Sequence, residues 1–508
     1  MYFACVILIC RSAIRSQQSL VNPSNSGDEL VSELFPWKFP DSAFEGKTQA
    51  SNSDSRSKLE DSDGEEEVWS DVVLERLPGW PSEFPPNLTE YREQVLSRTE
   101  WQTNYEKHRA EIAPWVWHHR GRADVLEAKL ADESSKEAAA AEMARLGLLP
   151  SAGRRANASF VVLIRNRELS DFLDTMRQLE DRFNHRFHYP YLFLNDQPFT
   201  RSFMQAVAAS TASNVTFALI PRDHWSLPSF IDAEQAQRAR EQMARNNVVY
   251  GGSLSYRHMC RFNSGFFYKH PLLQDVDWYW RVEPGVDFYC DLDYDPFAFM
   301  EQQGKLYSFV ITLKEISDTI PTLWDHTLQF MLNHNVTSDW MSYFVSRSGN
   351  YNLCHFWSNF EIASLNWLRS PEYNAYFDYL DNAKGFFMER WGDAPVHSLA
   401  AGMLLQRNQV HFFDDIGYRH DEFARCPDLA DRDMRLRCRC PKNMDNFDTS
   451  SGSCLPRWKA ASNAAPWTAR DTREALRLSR ERRLLTGGME PQIAVERRRW
   501  YDFFGELP

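Results

Sequence analysis

The sequence lacks a long hydrophobic run. Its most apolar stretch, Tyr2 to Cys10, stops at Arg11, whereas a bilayer-spanning helix needs about 20 residues. Two readings remain for so short a stretch. It is a cleaved signal sequence, although no basic n-region precedes it and no small-x-small site follows, or it is the inner part of a longer signal anchor. The sequence also lacks a positive balance: 57 Lys+Arg stand against 70 Asp+Glu, a net charge of -13. That excludes a general nucleic-acid binder, but not a diphosphate held locally by a metal ion and a few arginines. Internal repeats are absent as well. What is present is an ordinary globular balance over 508 residues, 43% hydrophobic and 25% charged. Such a balance buries at least one large core and is neither a small module nor a wholly disordered chain.

Cysteine is sparse but unevenly placed. Cys5 and Cys10 lie in the apolar N-terminus; of the other seven, Cys426, Cys438, Cys440 and Cys454 crowd near the end. Such crowding suits disulfides stapling a loop-rich segment in an oxidising lumen. A zinc site is the alternative, but Cys438 and Cys440 are closer than the usual two- to four-residue gap allows. Seven is odd, so one thiol is expected to stay unpaired. Sequons at Asn87, Asn157, Asn214 and Asn335 point to the same compartment, weakly, since chance alone supplies roughly two or three.

Along the chain, the short apolar terminus (1–15) gives way to a stem (16–155). The stem opens as a Ser/Asp/Glu-rich tether reaching Glu65-Glu66-Glu67 and continues, from Pro86, as helix-forming sequence with Trp101, Trp115 and Trp117. The main domain (156–457) begins with Ser159 to Ile164, an apolar run of the buried parallel-strand kind. Phe172, Met176, Leu179 and Phe183 recur at helical spacing, and Tyr191 to Leu194 reads as the next strand, so the order is βαβ. Ala233 to Asn246 reads as a helix; Asp277 to Val282 and Tyr307 to Ile311 read as strands. The fold class is therefore α/β, with ligands expected beyond the carboxyl ends of the strands, where Arg165, Asn166 and Glu283 fall. The last segment (458–508) is basic and helical, and reads as a solvated helix face.

Four segments carry candidate chemistry. Glu283-Pro284-Gly285 follows a buried strand and can present oxygen to a hard divalent cation, although acidic loops are common without one. Asp287, Asp291, Asp293 and Asp295 alternate with apolar residues and read mostly as a solvated strand edge. Glu361 sits among aromatic residues, where an unpaired carboxylate is costly, so it has a partner or serves a cleft. Trp391 to Ser398 contains Asp393 and His397, and Phe412 to His420 ends in a second histidine. Taken singly, each histidine reads as structural.

Taken together, the ordered set is specific. Tyr256-Arg257-His258-Met259-Cys260-Arg261-Phe262, Trp280-Arg281-Val282-Glu283-Pro284-Gly285, Ser358-Asn359-Phe360-Glu361, Gly392-Asp393-Ala394-Pro395-Val396-His397-Ser398 and Gly417-Tyr418-Arg419-His420 closely resemble fungal Golgi α-1,2-mannosyltransferases of glycosyltransferase family 15. Asn195 to Phe199 and Ile220 to Trp225 look similar too. The resemblance covers about Asn157 to Arg457.

It implies a GT-A fold, a Rossmann-like nucleotide-sugar transferase domain, and transfer of mannose from GDP-mannose with retention, using Mn²⁺. Glu283 and His420 would hold the metal, in a Glu-Pro-x segment that replaces Asp-x-Asp. Glu361 would be the nucleophile or the stabiliser of an oxocarbenium-like centre, and Asp393 would bond a sugar hydroxyl. Tyr256 and Arg281 would contact the donor, and Arg165 suits the nucleotide. The implied acceptor is a mannosylated glycoprotein in the Golgi lumen, with membrane attachment through an N-terminal anchor. Two rival readings are a secreted retaining glycoside hydrolase using Glu361 and Asp393, and an inactive mannoprotein-binding relative.

Overall fold

The computed structural model describes residues 98–486, apart from 133, 147, 149–154, 347–348, 428–436 and 462–464. The apolar terminus, the acidic tether and Arg497 to Arg499 lie outside the described residues. No described helix is long and apolar enough to cross a membrane.

The helices used below are α1 (Arg98–Ile112), α2 (Arg122–Leu130), α3 (Lys136–Arg145), α4 (Leu169–Leu179), α5 (Ala233–Arg245), α6 (Leu254–Gly265), α7 (Leu323–Asn333), α8 (Pro371–Asn382), α9 (Asp393–Leu404) and α10 (Ala469–Thr486). The strands are β1 (Trp117–His119), β2 (Ala158–Leu163), β3 (Tyr191–Asn195), β4 (Val215–Leu219), β5 (Trp278–Arg281), β6 (Asp287–Phe288), β7 (Tyr307–Phe309), β8 (Thr312–Lys314), β9 (Cys354–Phe356), β10 (Glu361–Ser364), β11 (Val410–Phe412), β12 (Tyr418–His420) and β13 (Phe423–Arg425).

Eight strands form one sheet in the order β1-β4-β3-β2-β5-β10-β7-β11. β4, β3, β2 and β5 run parallel, joined as the βαβ reading expects. Their side chains are buried on both faces: Phe160, Val162, Phe193 and Phe217 on one face and Leu192, Leu194 and Ala218 on the other are all covered, as a sheet with helices on both sides requires. β10 then runs antiparallel between β5 and β7. The sheet also reaches upstream, because β1 pairs antiparallel with β4 through Trp117 and Phe217. Sequence patterning placed this tripeptide in the helical stem.

A second sheet, β13-β12-β6, lies beyond the end of β5. The turn between β5 and β6 needs Gly285, whose φ of 75° is a conformation that side-chain-bearing residues rarely adopt. A Cβ there would touch nothing within 4 Å, so the backbone angle rather than space sets the requirement.

Among the described residues three disulfides are formed, Cys290–Cys438, Cys354–Cys454 and Cys426–Cys440, and the one thiol left there, Cys260, is buried. This excludes zinc at Cys438 and Cys440, which bond to different partners. Cys260 is inert: burial first, then the nearby Asp393 charge, push its thiol well above the usual range.

Two expectations are corrected. The aspartates from 287 to 295 are not mostly a solvated strand edge. Asp287 accepts from Arg419 (2.6 Å) and Gln178 (2.7 Å), and Asp291 pairs with Arg182 (2.9 Å) and with Arg437. Asp295 caps the helix Pro296–Gln302 and accepts from the Tyr189 hydroxyl at 2.6 Å. The basic C-terminal helix α10 is solvated on one side only. Ala475 and Leu476 on its other side are buried in the main core, and Ser479 donates to Asp325 of α7 at 2.5 Å.

Candidate active site

The site is built where β5, β10, β12 and α9 converge. Arg281 ends β5 and lies directly opposite Glu361, the first residue of β10. Cross-strand partners project from the same face. Tyr279 and Tyr307 both sit opposite Ala363, one from each neighbouring strand. The small Ala363 side chain leaves both rings room to reach diagonally to Glu361. Tyr279 donates to Glu361 Oε1, and Tyr307 donates to Oε2 at 2.8 Å.

The facing helix supplies the other half. Asp393 opens α9 and His397 follows one turn later, so both lie on one side of the helix. His397 Nδ1 donates to Glu361 Oε2 at 3.0 Å, and its Nε2 lies 3.0 Å from the Asn263 carbonyl. With Glu361 as a carboxylate both partners accept, an arrangement that favours a proton on each ring nitrogen. Burial alone would lower its pKa; the Glu361 carboxylate and then Asp393 outweigh this and raise it. Glu361 is thus 1% exposed yet holds three donors, which resolves the cost of burying it among aromatics.

Arg281 links two further carboxylates. Its Nη1 donates to Asp393 Oδ2 at 2.5 Å and its Nε to Glu283 Oε1 at 2.9 Å. Ser358 also donates to Asp393, at 2.7 Å. Burial acts to raise the Asp393 pKa, but the Arg281 guanidinium prevails and holds it below the usual range. The cluster contains three carboxylates, at Glu283, Glu361 and Asp393, against two cations, Arg281 and His397. A bound cation therefore suits its charge.

The pairing of β12 with β6 brings His420 beside the Glu283 turn. His420 Nε2 lies 3.6 Å from Glu283 Oε2, the oxygen that Arg281 leaves unbonded. Its Nδ1 lies 2.6 Å from the Asn359 side-chain amide, and its ring packs on Trp357 with centroids 5.1 Å apart. An imidazole nitrogen and a carboxylate oxygen that converge are a donor set that would suit a manganese ion, once the Asn359 amide turns its oxygen to Nδ1 and leaves the Nε2 lone pair free.

Among the sequence-singled residues, Arg281, Glu283, Glu361, Asp393 and His420 are brought together. Tyr256 adjoins them: its ring lies 5.1 Å beneath the Arg390 guanidinium and stacks on Tyr250 with centroids 4.4 Å apart. Arg165 lies apart, just past the end of β2. Its backbone N–H bonds Glu168 at 2.8 Å, and it shares no hydrogen bond or ion pair with the cluster among the described residues. Sequence reasoning missed Tyr279, Tyr307, Ser358 and Asn359 as participants and read His397 as structural. For Ser358 and Asn359 the signal was adjacency to Glu361; for the tyrosines there was none, because only strand register brings them in.

The sheet order and this cluster at its strand ends define a GT-A glycosyltransferase domain. Residues 119–463 match the family model described as glycolipid 2-alpha-mannosyltransferase, and the chain belongs to that family. It is 49% identical over 312 residues to alpha-1,2 mannosyltransferase KTR1 of Saccharomyces cerevisiae, covering 60% of this chain and 79% of that protein. It is 47% identical over 310 residues to glycolipid 2-alpha-mannosyltransferase 2 of Candida albicans, covering 60% and 67%. Among solved structures, core-mannan synthase A from Aspergillus fumigatus in its Mn/GDP form is 37% identical. It has a TM-score of 0.55 and covers 63% of this chain and 85% of that one. The mannosyltransferase Ktr4p from S. cerevisiae in complex with GDP is 33% identical, with a TM-score of 0.58 and coverage of 67% and 97%. Family membership sets aside the hydrolase reading of Glu361 and Asp393.

Proposed function

We propose that this glycosyltransferase transfers mannose from GDP-mannose, with retention, to the 2-hydroxyl of a mannosyl acceptor on glycoproteins in the Golgi lumen. The α-1,2 and mannosyl specificity rests on the relatives' names, and the donor and manganese on the GDP- and Mn-bound structures of relatives. The observation that carries the reading is the convergence of Glu283 and His420 beside the Arg281–Asp393–Glu361 cluster. The catalytic domain spans 156–457, with β1 added at its edge. Membrane attachment belongs to an N-terminal anchor.

Glu283 and His420 hold the metal. When bound, it supplies charge neutralisation at the diphosphate. Arg165 and Tyr256 contact the donor. Arg281 contacts it too, and fixes the angle between Glu283 and Asp393. Asp393 bonds a sugar hydroxyl. In the front-face course, the bond from the anomeric carbon to the phosphate oxygen breaks as the acceptor 2-oxygen bonds from the same side. The acceptor proton passes to the departing phosphate. Glu361 then serves as a fixed negative charge under the oxocarbenium-like centre. The three donors on its carboxylate favour this role over covalent attack, because they lower its nucleophilicity.

Incubation with GDP-mannose, an α-mannoside and Mn²⁺, with and without chelator, tests the reading. Chelator-sensitive formation of an α-1,2-linked product is expected. Turnover indifferent to chelator, absence of transfer, or another linkage would refute it.

A further inference from the structure

A second cluster lies outside the site described above. His108 of α1 meets Asp223 and His224, which form a single 3-10 turn (Arg222–His224) just after β4. Each residue offers one ligand atom, and the three atoms lie within 4.8 Å of one another. His108 Nε2 is 3.0 Å from Asp223 Oδ2 and 2.9 Å from Oδ1, the second without hydrogen-bonding direction. The His224 ring is buried, with its centroid 4.4 Å from that of His108 and 4.8 Å from that of Phe266. Its Nδ1 has no hydrogen-bond partner.

An ion pair accounts for His108 and Asp223 but leaves His224 unexplained. His258 and His334 also hold a buried Nδ1 without a partner, but among the described residues only His224 has a second imidazole and a carboxylate within ligand reach. We propose that His108, Asp223 and His224 form a structural zinc site that fastens α1 to the catalytic domain. Two imidazoles and one carboxylate are a three-ligand zinc set, with water completing the tetrahedron. The nitrogen-rich set favours zinc over magnesium or calcium. Tetrahedral ligand atoms lie about 3.3 Å apart, so side-chain rotations close the triangle. Lys107 is the competing cation, 3.2 Å from Asp223 Oδ2; at 55% exposure its side chain is free to turn into water. The site is independent of the transferase reading, and one ligand, His108, lies upstream of the family-matched residues 119–463.

The test uses the untagged full chain carrying His420→Ala, so that zinc cannot be held there. Dialysed against zinc and then against zinc-free buffer, it should retain roughly one zinc per chain. Asp223→Asn and His224→Gln in that background should each weaken zinc binding by at least about tenfold and abolish the zinc-dependent rise in Tm. X-ray absorption at the zinc edge of the parent protein, which needs no further variant, should show two imidazoles and no sulfur. Zinc retention unchanged in both variants, no zinc retained, or fewer than two imidazoles at the metal would overturn the proposal. In the last two cases the cluster is an ion pair with a neighbouring histidine.

Discussion

Glu361 and His420 are separable because they contact different things. Glu361→Gln can keep an acceptor oxygen for Tyr307 and His397, with its amide N–H turned to the Tyr279 hydroxyl, but removes the negative charge. Turnover should therefore fall by at least about 100-fold while Mn²⁺-dependent GDP binding persists. His420→Ala should do the reverse first, weakening Mn²⁺-dependent GDP affinity by about tenfold or more. Calorimetry with GDP and rate measurements on both variants check this pair; a Gln variant with near-normal turnover would remove Glu361 from catalysis. His397 makes a different prediction. Its pKa is raised by Glu361 against the opposing effect of burial, so its contribution to stability is complete below its unfolded value of about 6.5 and is lost as pH rises through the folded value. The Tm should therefore decline from pH 6.5 upward, and His397→Gln should flatten that decline. An equal slope in both proteins would show that another group causes it.

Between elements, the feature that assembles the site is the register of β10 against β5 and β7. Ala363 is its pivot, because both tyrosines lie opposite it. Ala363→Val adds two methyl groups to a fully buried position and should destabilise by about 1–3 kcal/mol, with turnover lost beyond what the stability change explains as the tyrosines are displaced. Denaturation and kinetics together check it; unchanged activity would mean the tyrosines do not need this geometry. The same strand marks the limit of what the sequence made legible. β2, β3, β5 and β7 were readable because short apolar runs bounded by polar residues are unambiguous for buried parallel strands. β10 was not, since Glu361 at its start breaks the apolar pattern and its strand character is decided by neighbours on both sides. Trp117 to His119 carries no period at all, and only pairing with β4 makes it a strand. The Glu283, Glu361, Asp393 and His420 positions were legible as motifs, but their mutual contacts depend on register, which a motif does not encode.

At the scale of the molecule, the acidity is unevenly spread along the chain. Residues 1–150 hold 16 basic and 26 acidic residues, so most of the net charge lies upstream of β2. The family match ends at residue 463, yet α10 beyond it covers part of the main core with Ala475 and Leu476. Ending the chain at 463 should cost about 1.5–3 kcal/mol for the Leu476 side chain alone while leaving GDP affinity intact; an unchanged Tm would show that α10 is dispensable. Arg281 carries a consequence for how the whole site behaves. One guanidinium is divided between Glu283 and Asp393. When a cation draws Glu283 away, more of that positive charge falls to Asp393. Occupancy on one side of the cleft therefore resets the hydrogen-bonding strength on the other, and by thermodynamic reciprocity whatever Asp393 binds feeds back on the affinity for the cation.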